Sequence, residues 1–152
     1  MKYEKLFSKG RIGKLEIKNR AVMSPMATDF ANPDGIHQAD HYTTAADMLK
    51  IAACALQNDT IATVVATPIV NTTLLSGQTV TWKNSNRLIQ ENNAFSYAGA
   101  TGLKTGSTTE AGYCLAASAT REGKTCIAIV MGSKVESGRW EDASGLLDIS
   151  FQ

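Results

Sequence analysis

Histidine and cysteine are scarce in this 152-residue chain, and their scarcity excludes several kinds of site. Only His37 and His41 are present, and no HExxH pattern surrounds them, so no metal site is predicted. The three cysteines, Cys54, Cys114 and Cys126, cannot all pair within one chain, and their spacings fit neither a zinc site nor a CxxC redox motif. We interpret them as reduced, buried thiols that act as small apolar side chains.

Strong charge and long apolar runs are also missing. The formal net charge is +1 at pH 7 and no run of Lys or Arg occurs, so nucleic acid is not an expected partner. No stretch approaches the roughly 18 apolar residues of a membrane span, and the charged N-terminus lacks the apolar centre of a signal peptide. As written, the chain has no predicted route out of the cytoplasm.

The length allows one modest domain, and its first half shows three patterns. Residues 11–24 are predicted to form a hairpin around Gly13-Lys14 that leads into a strand. Thr44 is predicted to cap a helix that runs to "QND" at 57–59, with Asp47 three residues after the cap. Residues 61–82 read as β structure, in which Pro68 marks an edge position or a strand end.

The second half is more regular. "NSNRLI" predicts a short helical turn followed by a loop, and "AGYCLAASAT" and "TCIAIVMGS" predict antiparallel strands joined at "REGK". The second of these strands is almost continuously apolar and is therefore predicted to be central in its sheet. Trp140, Ala143, Leu146 and Leu147 predict a closing helix on that sheet. The fold class predicted from these elements is α+β.

Four sequence blocks resemble the serine D-alanyl-D-alanine carboxypeptidases, the low-molecular-mass penicillin-binding proteins of peptidase family S11. In chain order they are "FANPDGIHQADHYTTAADMLKIA", "WKNSNRLI", "GATGLKTGSTTEAGYCLAASATREGKTCIAIVMGS" and "GRWEDASGLLDISF". The resemblance covers about residues 29–152. It implies a partial penicillin-binding-protein or β-lactamase-like domain, an antiparallel sheet with packed helices, whose partners are peptidoglycan peptides or β-lactams. It also implies an extracytoplasmic location, which conflicts with the absence of a predicted export signal.

The tripeptide Lys104-Thr105-Gly106 carries the chemistry of this resemblance. An ammonium can hold the carboxylate that ends a peptide, a hydroxyl can share it, and glycine lets a substrate lie close to the backbone. The family uses its Lys-Thr-Gly strand in this way, assisted by an arginine in the closing loop. The matching residue here is Arg139, in "SGRWEDA".

The catalytic motifs of that family are absent from these 152 residues. The family's nucleophile is the serine of a Ser-x-x-Lys motif, and no serine here has a lysine three residues on. Its second motif is Ser-x-Asn, whereas Ser85 is followed by Asn86 and Arg87. The chain alone is therefore predicted to have no catalytic residues, to be inactive and to bind a peptide or β-lactam at most weakly.

Residues 3–28, "YEKLFSKGRIGKLEIKNRAVMSPMAT", resemble the opening of the old yellow enzyme family of flavin oxidoreductases. In that family a hairpin closes a TIM barrel, and the positions that match its FMN contacts are Ser24, Pro25, Met26 and Ala27. A complete barrel needs about 250 residues, so no bound flavin or other cofactor is expected. The hypothesis is a chimera: residues 1–28 from one family and 29–152 from the other, joined by gene fusion, recombination or an assembly artefact.

Three functions remain open at this point: an inactive carboxypeptidase-like domain, a non-catalytic binding or structural module and, third, an FMN-dependent oxidoreductase. The family's sheet packs against a helical region that carries the Ser-x-x-Lys motif. Without that partner, apolar surface around Leu115, Ile127 and Ile129 is expected to be exposed, and a homo-oligomer could form through it.

Overall fold

The computed structural model describes the backbone of residues 10–12 and 15–17 and the whole of residues 43–152. The FMN-matching positions, the "NPDG" turn predicted at 32–35 and both histidines lie outside the described residues. The elements are β1 (Gly10–Ile12), β2 (Leu15–Ile17), α1 (Ala45–Leu56), α2 (Asp59–Ala66), β3 (Ile69–Thr73), β4 (Thr79–Lys83), a 3₁₀ turn (Arg87–Ile89), β5 (Ala100–Thr108), β6 (Gly112–Arg121), β7 (Lys124–Ser133) and α3 (Glu136–Phe151). Helices and antiparallel sheets together confirm the α+β class.

The N-terminal hairpin and the first helix agree with the sequence predictions. Strands β1 and β2 are antiparallel, with Ile12 opposite Leu15, as expected for a turn at residues 13–14. Helix α1 begins where its cap was predicted, because the Thr44 hydroxyl accepts the backbone N–H of Asp47 at 3.1 Å. The helix buries Met48 and two neighbouring apolar residues against the sheet.

The prediction of β structure for residues 61–66 is wrong, because this segment is the helix α2. The Asn58 side chain caps it by accepting the N–H groups of Thr60 and Ile61 at 3.0 and 3.1 Å. The helix lies on β5, where a Cβ added at Gly102 would come within 2.8 Å of Val65. Tertiary packing and the cap therefore outweigh the β preference of the Thr-Val-Val run. Strand β3 begins just after Pro68, so the proline precedes the start of a strand instead of ending or interrupting one that began at residue 61.

The main sheet has the order β5-β6-β7, with all pairs antiparallel. The predicted β6–β7 hairpin is confirmed, and its two-residue turn places Glu122 and Gly123 at positive φ, 51° and 77°. The prediction that β7 is central is wrong: of the described strands, β6 is the central one. Six consecutive residues of β6, Cys114 to Ala119, are buried, whereas burial in β7 alternates.

Helices cover both faces of this sheet and divide its core into two clusters. Beneath α3 lie Leu88, Leu115, Ala117, Ala119, Cys126, Ala128, Val130, Trp140, Ala143 and Leu147. Beneath α1 lie Met48, Ile51, Ala52, Leu103, Cys114 and Ala116. The buried positions Cys114 and Cys126 confirm the predicted burial of two thiols, and Cys54 is half-buried.

The expected exposure around Leu115 is wrong. Leu115 is fully buried under α3, and Ile127 and Ile129 are half-buried against the α1 cluster. The helices of the chain itself thus supply the cover that the sequence prediction assumed to be missing. Across residues 43–152 no helix is both long and apolar enough to cross a membrane.

Candidate functional site

Strand β5 carries the predicted Lys-Thr-Gly tripeptide. Lys104 is half-buried, and its Nζ donates to the backbone oxygen of Thr105 at 2.6 Å. Burial lowers the pKa of Lys104, and the positive charge of Arg139 lowers it further. No carboxylate of the described residues forms an ion pair with Lys104. The ammonium therefore lies partly desolvated, close to a second cation and without a counterion from the described chain.

Thr105 is 7% exposed, and its hydroxyl contacts a second hydroxyl from another part of the chain. The Ser85 Oγ lies 2.6 Å from the Thr105 Oγ1. Ser85 belongs to the loop between β4 and the 3₁₀ turn. It is the second residue of "NSNRLI", the segment predicted to form a short helical turn. Two hydroxyls and one ammonium are thus collected around residue 105.

Arg139 was expected in a loop before the closing helix. This expectation is wrong, because Arg139 lies in the first turn of α3. The helix begins at Glu136 and places Arg139 in a buried position, 7% exposed, with Nη1 3.4 Å from the oxygen of Gly106. Its guanidinium carbon lies 5.3 Å from the Tyr113 ring and 4.4 Å from the Trp140 ring. Its buried Nε has no hydrogen-bond partner among the described residues.

Glu136 is the carboxylate that partly balances these cations. Its Oε1 accepts from the Nη2 of Arg139 and from the Nη2 of Arg87, both at 3.2 Å. Among the described residues, Glu136 thus pairs with Arg87 and Arg139, and Lys104 adds a third positive charge that Arg139 feels directly. The arrangement therefore carries an excess of positive charge beside the Lys-Thr-Gly strand.

The structure brings the four predicted binding residues together. Lys104, Thr105 and Gly106 are consecutive in β5, and Arg139 contacts Gly106 from α3. An ammonium, a hydroxyl and a guanidinium close together can bind a carboxylate, since a carboxylate accepts hydrogen bonds at both oxygens. The geometry therefore supports recognition of an anionic group. The described residues include no Ser-x-x-Lys pair that could form an acyl-enzyme.

Sequence reasoning missed two residues at this site. Ser85 does not fit the spacing of a Ser-x-Asn motif, and no other sequence pattern predicts its contact with Thr105. Glu136 lies three residues before Arg139, a spacing at which opposite charges pair on a helix, so the sequence carries a signal for this contact. The sequence places the start of the closing helix near Trp140, whereas α3 begins at Glu136, so the helical pairing of Glu136 with Arg139 was not predicted.

The sequence profile of the D-alanyl-D-alanine carboxypeptidase family, peptidase S11, matches residues 17–135. The chain belongs to this family. A D-alanyl-D-alanine carboxypeptidase of Streptomyces sp. strain K15 is 40% identical over 129 residues, which are 82% of this chain and 43% of that relative. This member of the carboxypeptidase family therefore spans less than half the length of that curated relative.

Solved structures give the same fold for this carboxypeptidase-family chain. The crystal structure of the Streptomyces K15 DD-transpeptidase has a TM-score of 0.70 and 37% identity, and covers 87% of this chain and 49% of that one. Penicillin-binding protein D2 of Listeria monocytogenes in its cefotaxime-bound form has a TM-score of 0.64 and 26% identity, with 78% and 46% covered. The predicted penicillin-binding-protein fold is confirmed.

A shorter match concerns the resemblance to flavin enzymes. An NADH oxidase of Thermoanaerobacter brockii is 64% identical over 33 residues, which are 22% of this chain and 5% of that relative. A match of this length is weak support for a second family. The assignment of residues 1–28 and the junction after residue 28 stay predictions.

Proposed function

We propose that this chain is a carboxylate-binding member of the D-alanyl-D-alanine carboxypeptidase family that does not form an acyl-enzyme by itself. Its ligands are the carboxylate ends of peptidoglycan stem peptides and, more weakly, β-lactams. Lys104, Thr105 and Arg139 provide the binding groups, and Gly106 adds no side chain between the strand and the peptide.

The observation that carries this proposal is the excess of positive charge at Lys104. Arg139 is close enough to lower the pKa of Lys104, and among the described residues the carboxylate that pairs with Arg139 is Glu136, which Arg87 also engages. Repulsion between Lys104 and Arg139 costs free energy that an incoming carboxylate would offset. A bound carboxylate should consequently raise the pKa of Lys104 toward its ordinary value.

The proposed absence of turnover rests on the sequence. Neither a Ser-x-x-Lys nor a Ser-x-Asn motif occurs in the 152 residues. No serine therefore has the lysine base that acylation in this family requires. Binding groups without a nucleophile stabilise a bound ligand but cannot form a covalent acyl-enzyme with it. The chain is therefore proposed to bind without cleaving.

The binding half is tested by titrating the chain with a peptide that ends in D-alanyl-D-alanine and with the same peptide as its terminal amide. We expect a millimolar dissociation constant for the acid and a larger one for the amide. The NMR signals of the Lys104 side chain measure both. Lys104→Ala should weaken binding by about tenfold or more, because a charge-assisted hydrogen bond is lost. Lys124→Ala, which removes the same charge at the β6–β7 turn, is the control.

The non-acylating half is tested separately by incubation with fluorescent penicillin and measurement of the intact mass. We expect no covalent adduct, while an active family member labels in parallel. A stoichiometric adduct would show that an unrecognised serine acts as nucleophile. Equal affinity for the acid and the amide would overturn the binding half.

A further inference from the structure

The loop that carries Ser85 is held rigidly by the asparagines on either side of it. The Asn84 Nδ2 donates to the oxygen of Val65 at 3.1 Å, and its Oδ1 accepts the N–H of Asn86 at 3.0 Å. Asn86 is fully buried, and its own Oδ1 accepts the N–H of Leu88 at 3.0 Å. Since both neighbours are fixed by hydrogen bonds, the position of Ser85 is determined by the fold rather than by its own contacts.

Among the described residues, the Ser85 hydroxyl has one hydrogen-bond partner, the Thr105 hydroxyl at 2.6 Å. Each hydroxyl has one proton to donate and two lone pairs that can accept. When Ser85 donates to Thr105, the Thr105 proton stays free for another acceptor. Thr105 is already approached from its backbone side by Lys104, whose Nζ donates to its carbonyl oxygen.

We propose that Ser85 is a positioning residue for Thr105: it donates to the Thr105 Oγ1, holds that side chain in one rotamer and leaves the Thr105 proton to be donated to a bound carboxylate. The inference rests on the proposed carboxylate-binding function. It assigns to Ser85 a role in specificity that does not depend on the Ser-x-Asn spacing.

This arrangement discriminates between ligand ends. The Lys104 ammonium and a fixed Thr105 proton are both donors, so they match a carboxylate, which only accepts hydrogen bonds. A terminal amide offers two N–H donors of its own and would leave at least one pairing unsatisfied. Ser85 therefore contributes mainly to the preference for a free carboxylate over an amide.

The binding test compares Ser85→Ala with Ser85→Thr and with Ser76→Ala, which removes an exposed hydroxyl from the β3–β4 turn. Ser85→Ala should weaken binding of the D-alanyl-D-alanine acid by about 3- to 10-fold and leave the amide nearly unchanged. Ser85→Thr should restore binding, and Ser76→Ala should not alter it. In a Thr105→Val background, Ser85→Ala should change the affinity by less than about twofold, because the shared hydrogen bond is already lost.

A second measurement does not depend on any ligand. Scalar couplings of the Thr105 side chain should report one rotamer in the unmodified chain and in Ser85→Thr, and averaging in Ser85→Ala, with melting curves to verify that each variant is folded. Equal averaging with and without Ser85 would overturn the inference, as would an equal loss of affinity in the Thr105→Val background. If the unmodified chain fails to bind the acid, the proposed function is wrong, and the couplings still decide whether Ser85 positions Thr105.

Discussion

The β3–β4 hairpin and the β6–β7 hairpin are both antiparallel pairs of apolar and small polar residues, yet their surroundings differ completely. Every residue of β3 is exposed, and in β4 only Val80 is half-buried. In β6, by contrast, six consecutive residues are buried because α1 and α3 lie on opposite faces. The comparison shows that burial of a strand in this chain depends on the helices packed against it rather than on the composition of the strand.

The exposed hairpin is held by contacts between its own strands and by one anchor. The Trp82 Nε1 donates to the Thr72 hydroxyl at 2.8 Å, and Thr81 donates to the Asn71 side chain at 2.6 Å. At its base, Asn84 bonds to the carbonyl groups of Val65 and Thr67. The hairpin should therefore contribute far less to global stability than the sheet does.

The largest expected effect is that of truncating the centre of the α3 cluster. Trp140 is fully buried and packs against Phe95, with ring centroids 6.3 Å apart. Trp140→Ala should lower the free energy of unfolding by about 3–5 kcal/mol, because a large cavity is left behind. Chemical denaturation followed by circular dichroism measures this, and Trp140→Phe, which keeps an aromatic ring, should lose less. A loss below about 1 kcal/mol for the alanine variant would contradict the comparison.

A smaller effect is expected at the anchor between the two regions. Asn84→Ala removes three half-buried hydrogen bonds and should cost about 2 kcal/mol, since their backbone partners are left unsatisfied. Hydrogen exchange should accelerate in β3, β4 and the Ser85 loop while β6 stays protected. Asn71→Ala, which removes one exposed hydrogen bond inside the hairpin, is the matched control. Uniform acceleration across β6 would mean that the two regions unfold as one unit.

Alkaline pH should affect the sheet region through Tyr97. Burial, followed by its hydrogen bond to Asp148 at 2.7 Å, raises the pKa of Tyr97 to about 12. A raised folded pKa gives stability that is present below the ordinary value near 10 and is lost as the pH rises from about 10 to about 12. Tyr97→Phe should remove this part of the pH dependence in denaturation curves. Tyr113→Phe serves as a comparison, and an unchanged slope in Tyr97→Phe would exclude the assignment.

The smallest effect is expected on the exposed face of the hairpin. The side chain of Trp82 is largely in solvent, 56% exposed, and its replacement by threonine removes only a cross-strand pair. Trp82→Thr should therefore change the free energy of unfolding by less than about 1 kcal/mol. The same denaturation experiment measures it beside Trp140→Ala. A loss comparable to that of Trp140 would show that the hairpin face is covered in solution.

Several features of the fold could be predicted from the sequence because their causes are local. Thr44 and Asp47 start α1 through a hydrogen bond three residues apart, and Gly123 permits the positive φ of the β6–β7 turn. The Lys-Thr-Gly tripeptide indicated the family and the strand that carries the candidate site. In each case the signal lies within a few residues of the feature that it predicts.

The tertiary structure alone decided the features whose partners lie far apart in the chain. Residues 61–66 form a helix whose Val65 packs closely on Gly102, and β6 rather than β7 is central because it pairs with β5 on one side and with β7 on the other. Ser85 meets Thr105 across 20 residues, and Arg139 meets Gly106 across 33. The sequence by itself determined the family, the cap of α1, the β6–β7 turn and the binding tripeptide. It could not determine these long-range contacts, because their energies depend on residues that come together only when the chain has folded.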